Sequence, residues 1–232
     1  MGYCSRSQAA ALIRDGRVAL NGRTVHDPEN PVHIGGDRVE VDGAAIAELP
    51  KVYLVMNKPR GVVTTASDEK GRDTVYDLLA PGLPWVGPVG RLDKASEGLL
   101  LLTNDSEWAA RITDPASHLD KRYHVQVDRV ADNGLLTGIA RGATVGGDRL
   151  PVRAARVLRR GEKHSWLEIT LDEGKNRHIR RLLEALEVRV LRLVRVAVGP
   201  LELGDLKKGG ARHLVAAEKK AIDRALSGSF KP

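Results

Sequence analysis

The sequence predicts an α+β protein of two unequal units, a small N-terminal module and a larger domain rich in strands. In residues 1–43 a short helical pattern precedes Asn21-Gly22, a dipeptide that strongly favours a β-hairpin between short apolar runs. Residues 44–50 are rich in alanine and end at a proline, which indicates a linker. From residue 51 to 216, alternating apolar and polar runs recur between glycine-containing turns, a pattern typical of a sheet. Residues 217–232 are interpreted as a basic C-terminal tail with a short helix at most.

Length, composition and charge restrict the class of protein further. The 232 residues are enough for a sizeable core, and with only 3% aromatic residues that core must be built from Leu, Val, Ile and Ala. The net charge of +7 and pI of about 9.7 suit a polyanionic partner without distinguishing RNA, DNA and an anionic membrane. No apolar run approaches the roughly 18 residues of a membrane span, and no signal-peptide pattern is present, so we expect a cytoplasmic protein without membrane association. The single cysteine, Cys4, excludes an internal disulfide.

The N-terminal module carries a recognisable order of local signals. Ser5 or Ser7 caps a predicted helix over residues 8–14, which Gly16 ends. Short strands are predicted on both sides of the hairpin turn, and a further strand follows the turn at 35–37. These strands cover residues 17–20, 23–25 and 38–41.

This order of motifs over residues 3–43 resembles the alpha-L RNA-binding domain of ribosomal proteins. Such domains usually begin with a further helix, so we expect either that the sequence is truncated or that this first helix is missing. The resemblance implies that Arg6, Arg14 and Arg17 contact RNA phosphates. Solvated surface arginines are the alternative, because residues 1–43 contain five Lys/Arg against six Asp/Glu. Only an uneven distribution, with the arginines on one face, favours RNA binding here.

The most informative stretch is residues 90–105, GRLDKASEGLLLLTND. The glycines at positions 90 and 98 and the run of four leucines predict a loop that presents Asp93 beside a buried strand. Asn104, three residues before Glu107, predicts a capped helix after that strand. A carboxylate on a loop between rigid elements is a candidate catalytic group. The alternative is a turn aspartate with Arg91 as its surface ion-pair partner.

A second motif, KRYHVQV at residues 121–127, predicts a strand. Alternation places Tyr123, Val125 and Val127 on one face of it. The tyrosine ring either packs among valines or offers a face to a nucleic-acid base, and a half-buried ring can do both.

A third motif, EGKNRHIRRLLEAL at residues 173–186, predicts an amphipathic helix, because Ile179, Leu182, Leu183 and Leu186 have spacings of 0, 3, 4 and 7. Basic side chains gather at its first turns, where the helix dipole also favours anions. They are Lys175, Arg177, Arg180 and Arg181. For Arg180, a surface pair with Glu184 at the i, i+4 spacing is the alternative.

A fourth motif, NKPRG at residues 57–61, follows a predicted buried strand over 52–56. Pro59 and Gly61 turn the chain there. Lys58 either contacts RNA or is simply exposed at the strand end.

Together the four motifs resemble bacterial ribosomal-RNA pseudouridine synthases of the RsuA/RluB/RluE/RluF type. The resemblance implies a catalytic domain built on a large, mainly antiparallel mixed sheet. It implies that Asp93 is the catalytic nucleophile or base and that Arg91 displaces or holds the target nucleotide. Tyr123 would stack on the uracil, Ile179 would line the pocket and Arg180 would pair with Asp93. Possible RNA contacts are Lys58, Lys175, Arg177 and Arg181.

The function implied is isomerisation of a specific uridine in ribosomal RNA to pseudouridine by an enzyme that needs no metal or other cofactor. We expect a monomer that acts on ribosomal RNA, of the large subunit, or on an assembling ribosomal particle. Two other classes compete with this interpretation. A non-catalytic ribosome-assembly factor would keep the fold for binding only, and a carboxylate-using hydrolase of nucleosides or glycosides would need a second catalytic Asp or Glu.

Overall fold

The structure of the chain is a computed structural model that describes residues 3–33, 35–47, 49–66, 68 and 70–228. It contains a small N-terminal sheet with one helix and a large mixed sheet with helices on both faces. The α+β prediction is therefore confirmed. Within this described part, no helix is long and apolar enough to cross a membrane.

The N-terminal unit follows the predicted local signals closely. Helix α1 (Arg6–Arg14) is capped by Ser5, whose side chain accepts from the backbone N–H of Gln8 while the Gln8 side chain accepts from the backbone N–H of Ser5. The small sheet has the order β2-β1-β3-β4 and comprises β1 (Val18–Leu20), β2 (Arg23–Val25), β3 (Val39–Val41) and β4 (Ala44–Ala45). Because β4 pairs with β3, the predicted linker at 44–50 begins inside this sheet.

The large sheet and its helices occupy the rest of the chain. The strands that follow β4 are β5 (Tyr53–Lys58), β6 (Gly87–Pro88), β7 (Glu97–Thr103), β8 (Lys121–Val127), β9 (Ala143–Val145), β10 (Asp148–Leu150), β11 (Ala154–Arg160), β12 (Ser165–Leu171), β13 (Val190–Val198), β14 (Leu201–Glu202) and β15 (Ala211–His213). The helices are α2 (Ser106–Thr113), α3 (Asn133–Arg141), α4 (His178–Ala185) and α5 (Ala216–Gly228).

Nine of these strands form one sheet, whose main path is β11-β12-β8-β13-β7-β5-β15, while β9 and β10 form a separate hairpin. Its pairings are antiparallel except for β13 with β7, as expected for a mainly antiparallel mixed sheet.

Strand β7 explains why a run of four leucines is tolerated in this sheet. Leu99 and Leu101 pack in a cluster with residues of α2 and α5, whereas Leu100 and Leu102 pack on the opposite face with residues of the 60–92 segment. Both faces are therefore covered, so no polar alternation is required. The loop carrying Asp93 ends at this buried strand.

The C-terminal prediction was wrong. Residues 217–228, interpreted as a basic tail, belong to α5, whose Ile222 and Leu226 are fully buried. The indole N–H of Trp108 also donates to Asp223 at 2.9 Å. Two apolar side chains at the i, i+4 spacing suffice to attach this charged helix to the sheet. Residues 229–232 lie outside the described part of the chain.

Strands β7 and β13 touch over a very short distance. Their parallel register comprises only Val194 with Glu97 and Arg195 with Gly98. Gly98 has a φ of +103°, and a Cβ on it would lie 2.2 Å from the carbonyl oxygen of Arg195. Glycine is therefore required for the backbones to approach this closely. This contact joins the two halves of the large sheet.

Lys58 corrects a second prediction, since it is neither exposed nor available to RNA. Its side chain is 0% exposed, and its Nζ donates to the carbonyls of Val62 at 2.7 Å, Pro59 at 3.0 Å and Ser96 at 3.0 Å. Three carbonyl oxygens satisfy all three ammonium donors. The lysine therefore fastens the 59–62 turn to the end of the loop that carries Asp93.

We predict that Gly98→Ala destabilises the fold far more than Gly61→Ala. The two glycines have nearly the same φ, +103° and +98°, but a Cβ on Gly61 would meet nothing within 4 Å. Gly61→Ala should therefore lose only the backbone strain of about 1–2 kcal/mol. Gly98→Ala adds the clash with Arg195 and should lose more than about 4 kcal/mol of unfolding free energy in urea. Equal losses would show that the β7–β13 contact adjusts freely.

A second prediction concerns the pH dependence of the Lys58 contact. Burial lowers the pKa of Lys58 from 10.5 to about 8, although Asp93 and Glu97 act in the opposite direction. Between pH 8 and 10.5 the unfolded lysine keeps a proton that the folded one has lost, so the unfolding free energy rises with pH in this window. Wild type should gain about 3 kcal/mol over Lys58→Met between these limits. The exposed-site control Lys163→Met should run parallel to wild type, and a parallel Lys58→Met curve would contradict the prediction.

Candidate active site

A cleft of about 490 Å³ opens where β7 and β13 diverge. It is lined by the loop before β7, by β8 and β13, and by the segment that leads into α4. Six of the predicted site residues line it together, namely Arg91, Asp93, Tyr123, Lys175, Arg177 and Ile179. Motifs separated by up to 88 positions in the sequence therefore meet at one place.

The loop that presents Asp93 is held by its backbone. The N–H of Gly61 donates to the carbonyl of Lys94 at 2.8 Å, and the Thr64 hydroxyl donates to the carbonyl of Leu92 at 2.9 Å. Leu92 itself is buried in the core. The Asp93 side chain remains 37% exposed. Fixing the main chain while leaving the carboxylate accessible is what a reacting group requires.

The cation that contacts Asp93 is not the predicted one. Arg177 places its Nη1 3.9 Å from Asp93 Oδ2, whereas Arg180 donates from Nη2 to the carbonyl of Ala95 at 3.0 Å. The expected direct pair between Arg180 and Asp93 is thus replaced by a contact with the loop backbone. Arg177 reaches the carboxylate because it precedes α4 in a left-handed conformation, with φ of +49°.

The charge of Asp93 nevertheless affects the pKa of Arg180. Burial and Arg177 lower the pKa of the Arg180 guanidinium, whereas Asp93 raises it and Arg60 lowers it. Its Nε is buried without a hydrogen-bond partner among the described residues. The sequence motifs did not predict that Arg60 lies near Arg180 and Asp93. Its position there depends on the turn at 59–62, which Lys58 holds.

Tyr123 combines the two roles considered for it. Its ring packs against two core clusters, one containing Val125 and Val127 and the other containing Leu92. It is only partly buried, and its remaining surface lines the cleft. One side of the ring is therefore fixed by the core while the other is available to a ligand.

Several predicted RNA contacts are used within the protein. Lys175 donates to the carbonyl of Arg149 at 2.7 Å, and Arg181 donates to the carbonyl of Val145 at 2.7 Å and pairs with Asp148 at 2.9 Å. Both side chains therefore attach the β9–β10 hairpin to the start of α4, and Lys175 also lines the cleft. The acceptors are backbone carbonyls of the hairpin, and no local sequence pattern predicted these contacts.

In the small domain, Arg6 and Arg14 are exposed on α1, whereas Arg17 pairs with Asp42 at 2.6 Å. An exposed pair of this kind still leaves Arg17 accessible, but its charge is partly neutralised.

Sequence reasoning missed several charged residues of the cleft. Its lining includes five Lys/Arg side chains and only two carboxylates, so the cleft favours anions. The missed charged residues are Lys121, Glu173 and Arg195. The pattern of alternating residues could have placed Lys121 on the same face as Tyr123. Among the described residues, no group of three or more His, Cys, Asp or Glu side chains is arranged to hold a metal ion.

Comparisons with known proteins agree with this geometry. Residues 52–185 match the family described as RNA pseudouridylate synthase, and residues 1–39 match the S4 domain. The chain is 36% identical over 232 residues to ribosomal large subunit pseudouridine synthase B of Bacillus subtilis, covering 99% of this chain and 94% of that protein. It is 39% identical to an uncharacterized RNA pseudouridine synthase of Rickettsia typhi, with 92% and 87% covered.

A solved structure described as a pseudouridylate synthase superposes with a TM-score of 0.68 at 28% identity, covering 94% of each chain. Human RNA pseudouridylate synthase domain containing 1 shares the fold, with a TM-score of 0.50 at 15% identity, covering 78% of this chain and 93% of that one. The family match covers more than half of the chain and the Bacillus relative spans nearly all of it. The chain therefore belongs to the RNA pseudouridylate synthases, in the RsuA/RluB-type branch that carries an N-terminal S4 domain.

Proposed function

We propose that this enzyme isomerises a specific uridine of large-subunit ribosomal RNA to pseudouridine, with Asp93 as its nucleophile or base. The observation that carries the proposal is the position of Asp93, a backbone-fixed, accessible carboxylate beside an aromatic ring in a cleft lined mainly by cations. The name of the Bacillus relative supports ribosomal RNA of the large subunit as the substrate. The cytoplasm, where ribosomes are assembled, is the corresponding location.

The cleft suits a nucleotide taken out of its helix. A base inside a duplex is inaccessible to Asp93, so it must be flipped into the cleft. Arg91 is exposed next to Asp93 and would occupy the gap left in the RNA. Tyr123 would stack on the uracil, and Ile179, buried at the start of α4, would close the apolar side of the pocket. We propose that the enzyme acts as a monomer.

Asp93 must be ionised to act as a nucleophile or base. Arg177 places a positive charge 3.9 Å from the carboxylate, and Arg180 adds a second positive charge close by. Arg180 also holds the loop backbone at Ala95. Arg177 thus makes the contact with Asp93 that the resemblance implied for Arg180, whereas Arg180 holds the loop.

The two domains would divide RNA recognition. Residues 1–43 carry a net charge of −1, whereas residues 51–232 contain 32 Lys/Arg against 23 Asp/Glu, a net charge of +9. We propose that the catalytic domain provides most of the phosphate attraction and that the S4 domain provides a few placed contacts, including Arg6 and Arg14, which select the target.

The hydrolase alternative requires a second catalytic carboxylate. Among the described residues, the only other carboxylate that lines the cleft is Glu173, and it pairs with Lys175 at 3.2 Å. Because its carboxylate is engaged by Lys175, Glu173 is not the free partner for Asp93 that glycoside hydrolysis needs. The cleft therefore favours isomerisation over hydrolysis.

We predict that Asp93→Asn abolishes pseudouridine formation while RNA affinity stays within a few-fold of wild type. The test incubates the full chain with large- and small-subunit ribosomal RNA and maps new pseudouridines. Wild type should modify one site in the large-subunit RNA, and Asp93→Asn should fall below about a hundredth of its rate. Asp205→Asn, which removes an exposed carboxylate outside the cleft, is the control and should keep full activity. Release of free uracil would indicate a hydrolase, and the absence of both products would favour the binding factor.

Removing Arg177 or Arg180 should slow pseudouridine formation with little effect on RNA affinity. Arg177→Ala withdraws the positive charge that lies 3.9 Å from the Asp93 carboxylate, and Arg180→Ala removes a nearby charge together with the donor to the Ala95 carbonyl. We expect each variant to lower the single-turnover rate at saturating RNA about 10-fold or more. Arg180→Lys keeps the charge and should recover most of the rate, and Arg111→Gln on the exposed face of α2 should leave it unchanged. If Arg180→Ala lowers thermal stability without changing the rate, its role is limited to the Ala95 contact.

A further inference from the structure

Two further cations line the cleft, one of them partly buried and the other buried. Lys121 lies at the start of β8 and Arg195 in β13, and both line the cleft beside Asp93 and Tyr123. Arg195 is only 7% exposed. Burying a charge is costly unless it is paired or serves a ligand, so their presence needs an explanation.

Within the described part of the chain, both side chains donate hydrogen bonds to backbone carbonyls. Lys121 Nζ donates to the carbonyl of Asp172 at 3.2 Å, and Arg195 Nε donates to the carbonyl of Leu99 at 2.7 Å. Neither forms an ion pair within 4.0 Å with a carboxylate of the described residues. Each of these contacts uses one donor and neutralises no charge, so both side chains retain donors for a ligand.

The two cations are also close to one another. Burial lowers the pKa of Lys121 and the charge of Arg195 lowers it further, against weaker opposing effects of Asp172, Asp120 and Glu173. Two like charges held together in a half-enclosed space repel one another. An anionic ligand between them would relieve this repulsion.

Sheet register places this pair next to the aromatic ring. Arg195 is directly opposite Tyr123 in the β13–β8 register, and Lys121 precedes Tyr123 by two positions in the same strand. Opposite residues share a face of the sheet, as do residues two apart in one strand. A base stacked on Tyr123 would therefore lie beside both cations.

We propose that Lys121 and Arg195 form a cationic subsite that contacts the oxygen atoms of the target uracil and stabilises the negative charge that the base acquires when it leaves the sugar. This inference rests on the proposed function. In the reaction the C1′–N1 bond breaks, and its electron pair departs with the base onto N1, O2 and O4. The sugar's electron deficiency is met by Asp93 on the other side.

The rest of the isomerisation balances without a co-reactant. The base turns and its C5 forms the new bond to C1′, while the bond from Asp93 to C1′ breaks or, where Asp93 acts as a base, the sugar regains the proton that Asp93 took. C5 then loses its proton and N1 gains one. Stabilising charge that exists only during this sequence lowers the barrier without tightening substrate binding. A phosphate would be the other anionic occupant, but phosphodiesters are strongly hydrated, and a side chain that is 7% exposed suits a base that has already left water.

The test separates rate from affinity in the full chain. Single-turnover pseudouridine formation at saturating target RNA is measured for wild type, Lys121→Met, Lys121→Arg and Arg195→Lys, together with RNA affinity at several salt concentrations. We expect Lys121→Met to lower the saturated rate about 100-fold or more. Its RNA affinity and salt slope should match wild type, and Lys121→Arg should recover most of the rate. Arg195→Lys keeps the charge and tests the second cation without removing it.

Arg159→Gln, which removes an exposed charge on β11, is the matched control and should change neither quantity. A salt slope reduced by roughly 0.7–0.9 with an unchanged saturated rate would overturn the proposal in favour of a phosphate subsite. A Lys121→Met variant with wild-type rate and affinity would also overturn it, because the cations would then be structural only. Failure of wild type itself to form pseudouridine would instead refute the proposed function.

Discussion

The close approach of β7 and β13 at Gly98 is the constraint on which the active site depends. A parallel contact of two residue pairs joins two halves of a sheet whose other pairings are antiparallel, and the strands diverge beyond it. The cleft occupies the resulting gap, so the same geometry that completes the sheet also creates the site. Residues from both halves then face one another, with Asp93 before β7 and Tyr123 and Arg195 on β8 and β13. Any side chain at position 98 would push these groups apart.

The second requirement is that the loop carrying Asp93 keeps one conformation. Three side chains donate hydrogen bonds to carbonyls of its main chain. Lys58 donates to Ser96, Thr64 to Leu92 and Arg180 to Ala95. Two of these are cations that bind carbonyl oxygens, so they fix the loop and also add positive charge beside the carboxylate. Charged donors make stronger hydrogen bonds than neutral ones, and a buried site increases that difference. Lys58 and Arg180 therefore both hold the Asp93 loop and add positive charge near its carboxylate.

How far the sequence predicts this structure depends on whether a residue's partners are local. The cap at Ser5, the hairpin at Asn21 and the alternation of β8 involve near neighbours, and each was predicted correctly. The motifs also identified Asp93, Tyr123 and Ile179, which the fold brings to one cleft. The role of Lys58 was predicted wrongly because one of its three acceptors is the carbonyl of Ser96, 38 positions away. A sequence pattern does not indicate which distant backbone carbonyl a side chain will contact.

The same reasoning explains the errors at Arg180 and α5. Motif resemblance placed Arg180 near Asp93 but did not distinguish a carboxylate from the adjacent Ala95 carbonyl as its acceptor. Helix α5 was interpreted as a tail because its charged residues outnumber the two buried anchors, Ile222 and Leu226. Both cases show that composition describes the exposed side of an element, whereas its position is decided by the few groups that face inward. Lys121 and Arg195 belong to the inward-facing class, since both line the cleft and neither forms an ion pair within 4.0 Å with a carboxylate of the described residues.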